Sequence, residues 1–348
     1  MQTERYSGTQ SHYLTEARND QLGTSNVLAN STPPRCSIAV SDLGCLSIGH
    51  IEDSSVTDAR ERQRRVEALS LAVRAGQDAA VDTSAAFVKR VRSATTVVFP
   101  SAKVIARVER AENAHLAHHQ LTMGQYWAAV RAPVARLVTG SGVFEEPTGA
   151  VTLWRQISDT GRLLGAQEHG SLLRALHDSG TPHGGLPAAN GPKEARVFLQ
   201  EARPELPAGA FDRLGGELES LAAQVSWTDE LRVLHGDPHQ DNVIVGPHGP
   251  RFIDLELSGV GPAAWDVAVL DVQARRFGLG ADWWRAFLHG YEPDAKALPD
   301  HQLFARMYEI TVVVWAFATC GTDLGLRAEA HRRLASLDDA GETVWRQS

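Results

Sequence analysis

One short stretch constrains this chain more than any other. It reads His235-Gly236-Asp237-Pro238-His239-Gln240-Asp241-Asn242, followed by Val243-Ile244-Val245, a Gly/Pro-rich turn from Gly246 to Pro250, and a segment carrying Ile253-Asp254-Leu255-Glu256. The β-branched run, the turn and the second apolar segment predict a tight hairpin whose second strand holds Ile253 to Glu256. A loop entering such a hairpin sets Asn242 and Asp254 side by side across the ladder and leaves Asp237 at the loop apex.

This arrangement has a definite chemistry. Moving a γ-phosphoryl group needs little covalent help but much positioning and charge neutralisation. One carboxylate must face an acceptor hydroxyl, orient it and take its proton. Hard oxygen ligands must hold Mg²⁺ against the phosphates. The catalytic loop of protein kinases has the same spacing: an Asp, four residues, an Asn, and a later Asp for the metal.

His-Gly-Asp, four residues, Asn, then Ile253-Asp254 and Trp265-Asp266, resembles the aminoglycoside phosphotransferase family, which also includes choline, homoserine and fructosamine kinases. The wording Phe252-Ile253-Asp254-Leu255-Glu256 and Gly261-Pro262-Ala263-Ala264-Trp265-Asp266-Val267-Ala268 is typical of it. The likeness runs from about residue 80 to about 320 and is densest between 231 and 270. It implies an α+β fold of the bilobal protein-kinase-like kind, with a small antiparallel-sheet N-lobe over 57–152 and a larger, mostly helical C-lobe over 153–345. Residues 1–56, polar and without periodicity, are expected to form a disordered extension or to reflect a mis-assigned start.

The resemblance also implies roles. Asp237 becomes the base, Asn242 and Asp254 the Mg²⁺ ligands, and ATP or GTP the co-substrate. His235 and Asp266 brace the loop. Glu256, two residues past Asp254, shares its strand face and meets the substrate, a second metal or a structural cation. In the N-lobe, Ala86–Val88, Thr96–Phe99 and Lys103–Val108 read as strands. The turn Arg92-Ser93-Ala94-Thr95 stands where a phosphate-covering loop belongs. It has no glycine, so the hydroxyls and amides of Ser93 and Thr95 are assigned to the phosphates. Arg107 takes the place of the strand cation that meets the phosphates, a fork that suits them. The following helix, about Asn113 to Arg131, offers Gln120 where a Glu would orient that cation. The segment from Val151 to Ile157 resembles the interlobe hinge, where the backbone of Arg155, Gln156 and Ile157 would meet adenine.

Composition adds limits. The chain has 348 residues, 43% hydrophobic and 22% charged, enough for two lobes with their own cores. A net charge of −8 argues against a nucleic-acid partner and is compatible with a cationic small-molecule acceptor. On that reading Asp271, Asp282, Glu292, Asp294 and Glu309 would meet the acceptor. Three cysteines, Cys36, Cys45 and Cys320, give no disulfide framework and fit a reducing, cytoplasmic setting. The N-terminus lacks an apolar core, and the longest apolar run, Ile310 to Cys320, is too short to span a bilayer.

Other readings are weaker. His235, Asp237, His239 and Asp241 alternate like metallohydrolase ligands, but no matching cluster accompanies them. His115, His118 and His119 share a helix, where a solvated face is the simpler reading. A protein acceptor is disfavoured because the activation segment of protein kinases is missing. A catalytically impaired nucleotide binder is motivated by Gln120 and the glycine-free turn.

Overall fold

The computed structural model describes residues 59–189, 191–292, 298–321, 323–339 and 343–346. The expected N-terminal extension lies outside the described residues.

The chain opens with helix α1 (Ala59–Asp78), then β1 (Phe87–Val91), β2 (Thr95–Phe99), β3 (Val104–Arg110), α2 (Ala114–Ala129), β4 (Phe144–Glu146) and β5 (Gly149–Arg155). The five strands form one antiparallel sheet in the order β1-β2-β3-β5-β4. Alternation decides its faces. Val97, Phe99, Val104, Ala106, Val108, Val151 and Leu153 point to one side and pack on Leu69, Leu71, Ala72 and Ala75 of α1. The other side carries Arg107, Glu109 and Trp154 and is covered in part by α2. There a Cβ on Gly124 would come within 2.9 Å of Leu137 and Trp154.

A larger helical lobe follows: α3 (Ala166–Ser179), α4 (Gly191–Ala202), α5 (Ala210–Gln224), β6 (Leu231–Leu234), β7 (Val243–Gly246), β8 (Gly249–Phe252), β9 (Gly259–Pro262), α6 (Ala263–Arg276), α7 (Gly280–Tyr291), α8 (His301–Thr319) and α9 (Leu324–Ala335). The fold is therefore α+β and bilobal, a small antiparallel sheet joined to a mostly helical lobe. Helix α6 is apolar almost all round and runs through the core, with Trp265, Val269 and Val272 packed on Phe304, Ile310 and Phe317 of α8. Helices α3 and α7 cross closely. A Cβ on Gly170 would meet the Phe287 carbonyl at 2.1 Å, and one on Gly290 the Gln167 carbonyl at 1.9 Å.

The hairpin differs from expectation in one respect. β7 pairs with β8 from Val243↔Phe252 to Gly246↔Gly249, so the second strand ends before Asp254. Asp254 has φ 65°, a left-handed backbone that no strand continues through, and Glu256 begins a turn. The two carboxylates therefore do not share a strand face. The turn at Glu256 brings its carboxylate round to the same partner by another route.

Candidate active site

The loop between β6 and β7 is pinned from beneath. Asp266, fully buried in the first turn of α6, accepts the backbone N–H groups of His235 and Gly236, each at 2.8 Å, one per carboxylate oxygen. His177, at the end of α3, holds Asp266 at 2.9 Å and is itself 2.9 Å from the Tyr291 hydroxyl. The Trp265 indole N–H donates to the Gly236 carbonyl at 2.7 Å. Gly236 has φ 93°, and a Cβ there would lie 2.2 Å from the Leu257 carbonyl, so only glycine fits. The His235 ring reaches the Ile253 carbonyl (2.8 Å), tying the loop to the far end of the hairpin. His169 does the same from α3 through the Pro238 carbonyl at 2.8 Å.

On this base Asp237 projects with both oxygens engaged. Tyr308 of α8 donates its hydroxyl to Oδ1 at 3.0 Å, and His239 Nε2 lies 3.3 Å from Oδ2. Burial opposes ionisation of Asp237, but His239, His235 and the Tyr308 hydroxyl outweigh it and hold the carboxyl below its ordinary range. Burial likewise opposes a charge on His239, and the facing Asp237 overcomes it and raises the imidazole pKa.

Asn242 donates Nδ2 to the Asp237 carbonyl at 2.9 Å, and its own carbonyl accepts the Ile253 N–H at 2.9 Å. That second bond sets Asn242 and Asp254 one residue apart across the base of the hairpin. Asp254 Oδ2 meets Arg107 at 2.9 Å, whereas its Oδ1 is buried with no protein partner. A buried carboxylate oxygen without a donor is unfavourable unless something else completes it. Asp254 and Asn242 both offer side-chain oxygens, the donor type that Mg²⁺, keeping several waters, requires. The residues fit the ion.

Arg107 is the hub above. Its Nη1 meets Asp254, its Nη2 meets Glu256 at 2.5 Å and its Nε meets Glu109 at 3.3 Å. The guanidinium pKa is raised: burial opposes the charge, and the three carboxylates more than offset it. Burial and the neighbouring Asp254 push the Glu256 carboxyl up to about 8, against the pull of Arg107. Gln120 does not reach Arg107. Its Nε2 donates to Glu109 Oε1 at 3.0 Å, the same oxygen that accepts from Arg107. Glu109 is thus the carboxylate that holds the cation from the sheet side, and Gln120 holds Glu109. Strand alternation marks Glu109 as sharing the face of Arg107, and that signal was present in the sequence.

Thr95, Ser93 and the hinge residues have different surroundings. Thr95 pairs with Val108 and is buried on the α1 side of the sheet, so its side chain faces away from Arg107. Thr96, opposite Arg107, has the orientation expected of Thr95. Ser93 lies exposed at the tip of the β1–β2 turn. At the hinge, the Arg155 N–H donates to Arg136 (2.7 Å) and the Gln156 N–H to Lys103 (2.8 Å). Among the described residues the Ile157 N–H has no such acceptor, and its side chain packs at the Gly246 turn.

The acidic residues expected to meet a cationic acceptor are engaged elsewhere. Asp271 pairs with Arg275 and His301, Asp282 with Arg285, Glu292 with Arg174, and buried Glu309 with Arg275 and Arg276. Asp294 lies outside the described residues. The three helix histidines diverge: His118 meets Glu145 at 2.7 Å, His119 meets the Ser258 carbonyl at 2.7 Å, and no metal-ligand cluster of His, Cys, Asp and Glu occurs among the described residues. No helix among them is long and apolar enough to cross a membrane.

A bilobal kinase-like fold with an Asp, an Asn and a second Asp gathered beneath a strand arginine defines a phosphotransferase. The chain matches the family described as "Phosphotransferase enzyme family" over residues 93–306, more than half its length, and it belongs to that family. No curated protein matches it. Solved structures share the fold at low identity. The amicoumacin kinase hAmiN, in complex with AMP-PNP, Ca²⁺ and Ami, aligns at 12% identity and TM-score 0.59 over 81% of this chain and 98% of its own. An aminoglycoside-3'-phosphotransferase of type VIII aligns at 18% and 0.53 over 70% and 98%. A choline/ethanolamine kinase family protein from Mesorhizobium loti aligns at 18% and 0.51 over 81% and 95%.

Proposed function

We propose that this enzyme transfers the γ-phosphoryl group of ATP or GTP to a hydroxyl of a small-molecule acceptor. The observation that carries the reading is the Asp237–Asn242–Asp254 geometry. A carboxylate kept ionised and aimed by two neighbours stands beside a buried carboxylate oxygen that lacks a partner. Asp237 orients the acceptor hydroxyl and receives its proton at a carboxylate oxygen, with the Tyr308 hydroxyl giving way to the acceptor. Asn242 and Asp254 would hold Mg²⁺, which would supply neutralisation of the phosphate charge. Arg107 steadies the phosphates. Asp254 and Glu256, its present partners, keep it placed until nucleotide arrives. His235 and Asp266 keep the loop rigid, so the groups are organised before substrate binds.

Of the acidic residues considered for a cationic acceptor, Asp271, Asp282, Glu292 and Glu309 each have an arginine neighbour, which leaves fewer of them free to meet such an acceptor. A cavity of about 360 Å³, within the range of small-molecule sites, opens between α4, α5 and α8. It is lined by Ala188, Lys193, Arg196, Leu218, Trp227 and Met307. Its charged lining is supplied by Lys193 and Arg196.

Incubation with Mg·ATP or Mg·GTP and a pool of aminoglycosides, other antibiotics, amino alcohols, sugars and hydroxy acids tests this directly. One acceptor should gain a single phosphoryl mass with wild-type protein and not with Asp237→Ala. Nucleotide bound but never transferred to any hydroxyl would count for the impaired-enzyme reading.

The Glu109–Gln120 pair supplies a further expectation. Glu109→Gln should raise KM for nucleotide about tenfold, because Arg107 loses a charge-assisted partner worth about 1.5–3 kcal/mol. Adding Gln120→Glu to that variant returns a carboxylate to the pair from the helix side and should restore most of the loss. Failure of the transposed double variant to recover would remove Glu109 from this role.

A further inference from the structure

The β1–β2 hairpin contains no glycine, and Arg107 is ringed by Asp254, Glu256 and Glu109. With Asp237 and Asp241 in the catalytic loop, carboxylates outnumber cations here even with the Glu256 carboxyl pushed up, an unfavourable place for a polyphosphate unless further positive charge faces it. The structure supplies one candidate. In the β1–β2 ladder Val88 pairs with Val97 but Arg90 pairs with Thr96, so the register slips by one residue between them. Thr96 in turn stands opposite Arg107. The slip is a bulge at Lys89, and it moves Arg90 from the α1 side onto the face of Arg107. Two strand spacings, about 10 Å, separate the two backbones, so a side chain as long as arginine reaches the space between them.

Arg90 is exposed and makes no ion pair among the described residues. It is partly desolvated, it is repelled by Arg92 and Arg107, and it is attracted by Asp254 and by Asp241 of the catalytic loop. An arginine re-aimed by a backbone irregularity, without an ion pair among the described residues and within the electrostatic reach of Asp254 and Asp241, has a function to fulfil. We propose that Arg90 is a second phosphate-binding cation, reaching the nucleotide from β1 and doing with a guanidinium fork what a glycine-rich turn does with backbone amides. This rests on the nucleotide-dependent function proposed above. In the fork, N–H groups meet phosphate oxygens in parallel, which a lysine cannot reproduce.

Affinities of wild type, Arg90→Ala and Arg90→Lys for adenosine, AMP, ADP and AMP-PNP, measured calorimetrically with Mg²⁺ present, test the assignment. For Arg90→Ala the loss should grow with the number of phosphates, reaching about tenfold or more for AMP-PNP and vanishing for adenosine. Arg90→Lys should recover part of it. Equal affinities for wild type and variant across the series would overturn the proposal. So would a uniform loss that includes adenosine, which would mark Arg90 as a structural contact to the Asp241 loop. Wild type that binds none of the nucleotides would overturn the nucleotide-dependent reading itself, an outcome read from the wild-type arm alone. Thermal melts of each variant identify any that misfold, and Arg90→Gln, of similar length but uncharged, then replaces Arg90→Ala.

Discussion

Asp237→Asn is expected to lower kcat by about three orders of magnitude while shifting nucleotide affinity less than about threefold. The change is nearly isosteric. Asn can still accept the Tyr308 hydroxyl, now 3.0 Å from Oδ1, so the loop keeps its anchors. What disappears is a negative charge beside the acceptor hydroxyl and a site for its proton. The Asp237 side chain has no hydrogen bond or ion pair to Asp254 or Arg107, and Asn242 is held by the Asp237 backbone carbonyl, which the substitution leaves in place. The carboxyl also sits below its usual pKa despite its burial, so it is a weak base and acts mainly by orienting the hydroxyl. The variant should therefore be slow at every pH at which the wild type works, rather than showing a displaced pH optimum. Single-turnover rates with saturating acceptor, alongside nucleotide titrations, separate the two quantities. Turnover within tenfold of wild type would take Asp237 out of the reaction, and lost nucleotide binding would show that it supports the loop instead.

Much of this site was legible in the sequence because the phosphoryl-transfer segment is local. Asp237, Asn242 and Asp254 lie within one loop and one hairpin, so their spacing almost determines their geometry. The residues that sequence reasoning missed are distant in the chain. Tyr308 reaches Asp237 across 71 positions, and His177 reaches Asp266 across 89. Neither pairing has a periodic signature, because helix packing rather than local pattern brings them together. The boundary of β8 was misjudged for a different reason: the apolar run Ile253 to Leu255 reads as strand, yet the chain turns left-handed at Asp254 to present its carboxylate. Such strain at a functional residue overrides propensity. Thr95 was placed in the turn because β2 was expected to begin at Thr96; it is instead the first residue of β2, and its pairing with Val108 sets it on the α1 face. The net charge of −8 says little about the acceptor, because Asp271, Asp282, Glu292 and Glu309 have arginine neighbours, which a sum of charges cannot reveal.

Asp266→Ala should be the most damaging single change to the fold of the site. Its carboxylate is fully buried and is the acceptor for two backbone N–H groups, those of His235 and Gly236, as well as the partner of His177. Removing it leaves those donors buried without acceptors, at about 1–3 kcal/mol each. The expected loss is therefore on the order of 3 kcal/mol or more, a large part of the 5–15 kcal/mol typical of a domain. Asp266 also sits in the first turn of α6, where a negative charge is favoured by the helix dipole, so the same substitution weakens the central helix. Asp266→Asn keeps one acceptor oxygen and should lose clearly less. In both variants catalysis should fall further than the folded fraction does, because Gly236 hands its position directly to Asp237. Urea midpoints give the stability, and kcat corrected for the folded fraction gives the positional effect. An unchanged midpoint for Asp266→Ala would mean that Trp265, His169 and the Gly236 turn hold the loop without it.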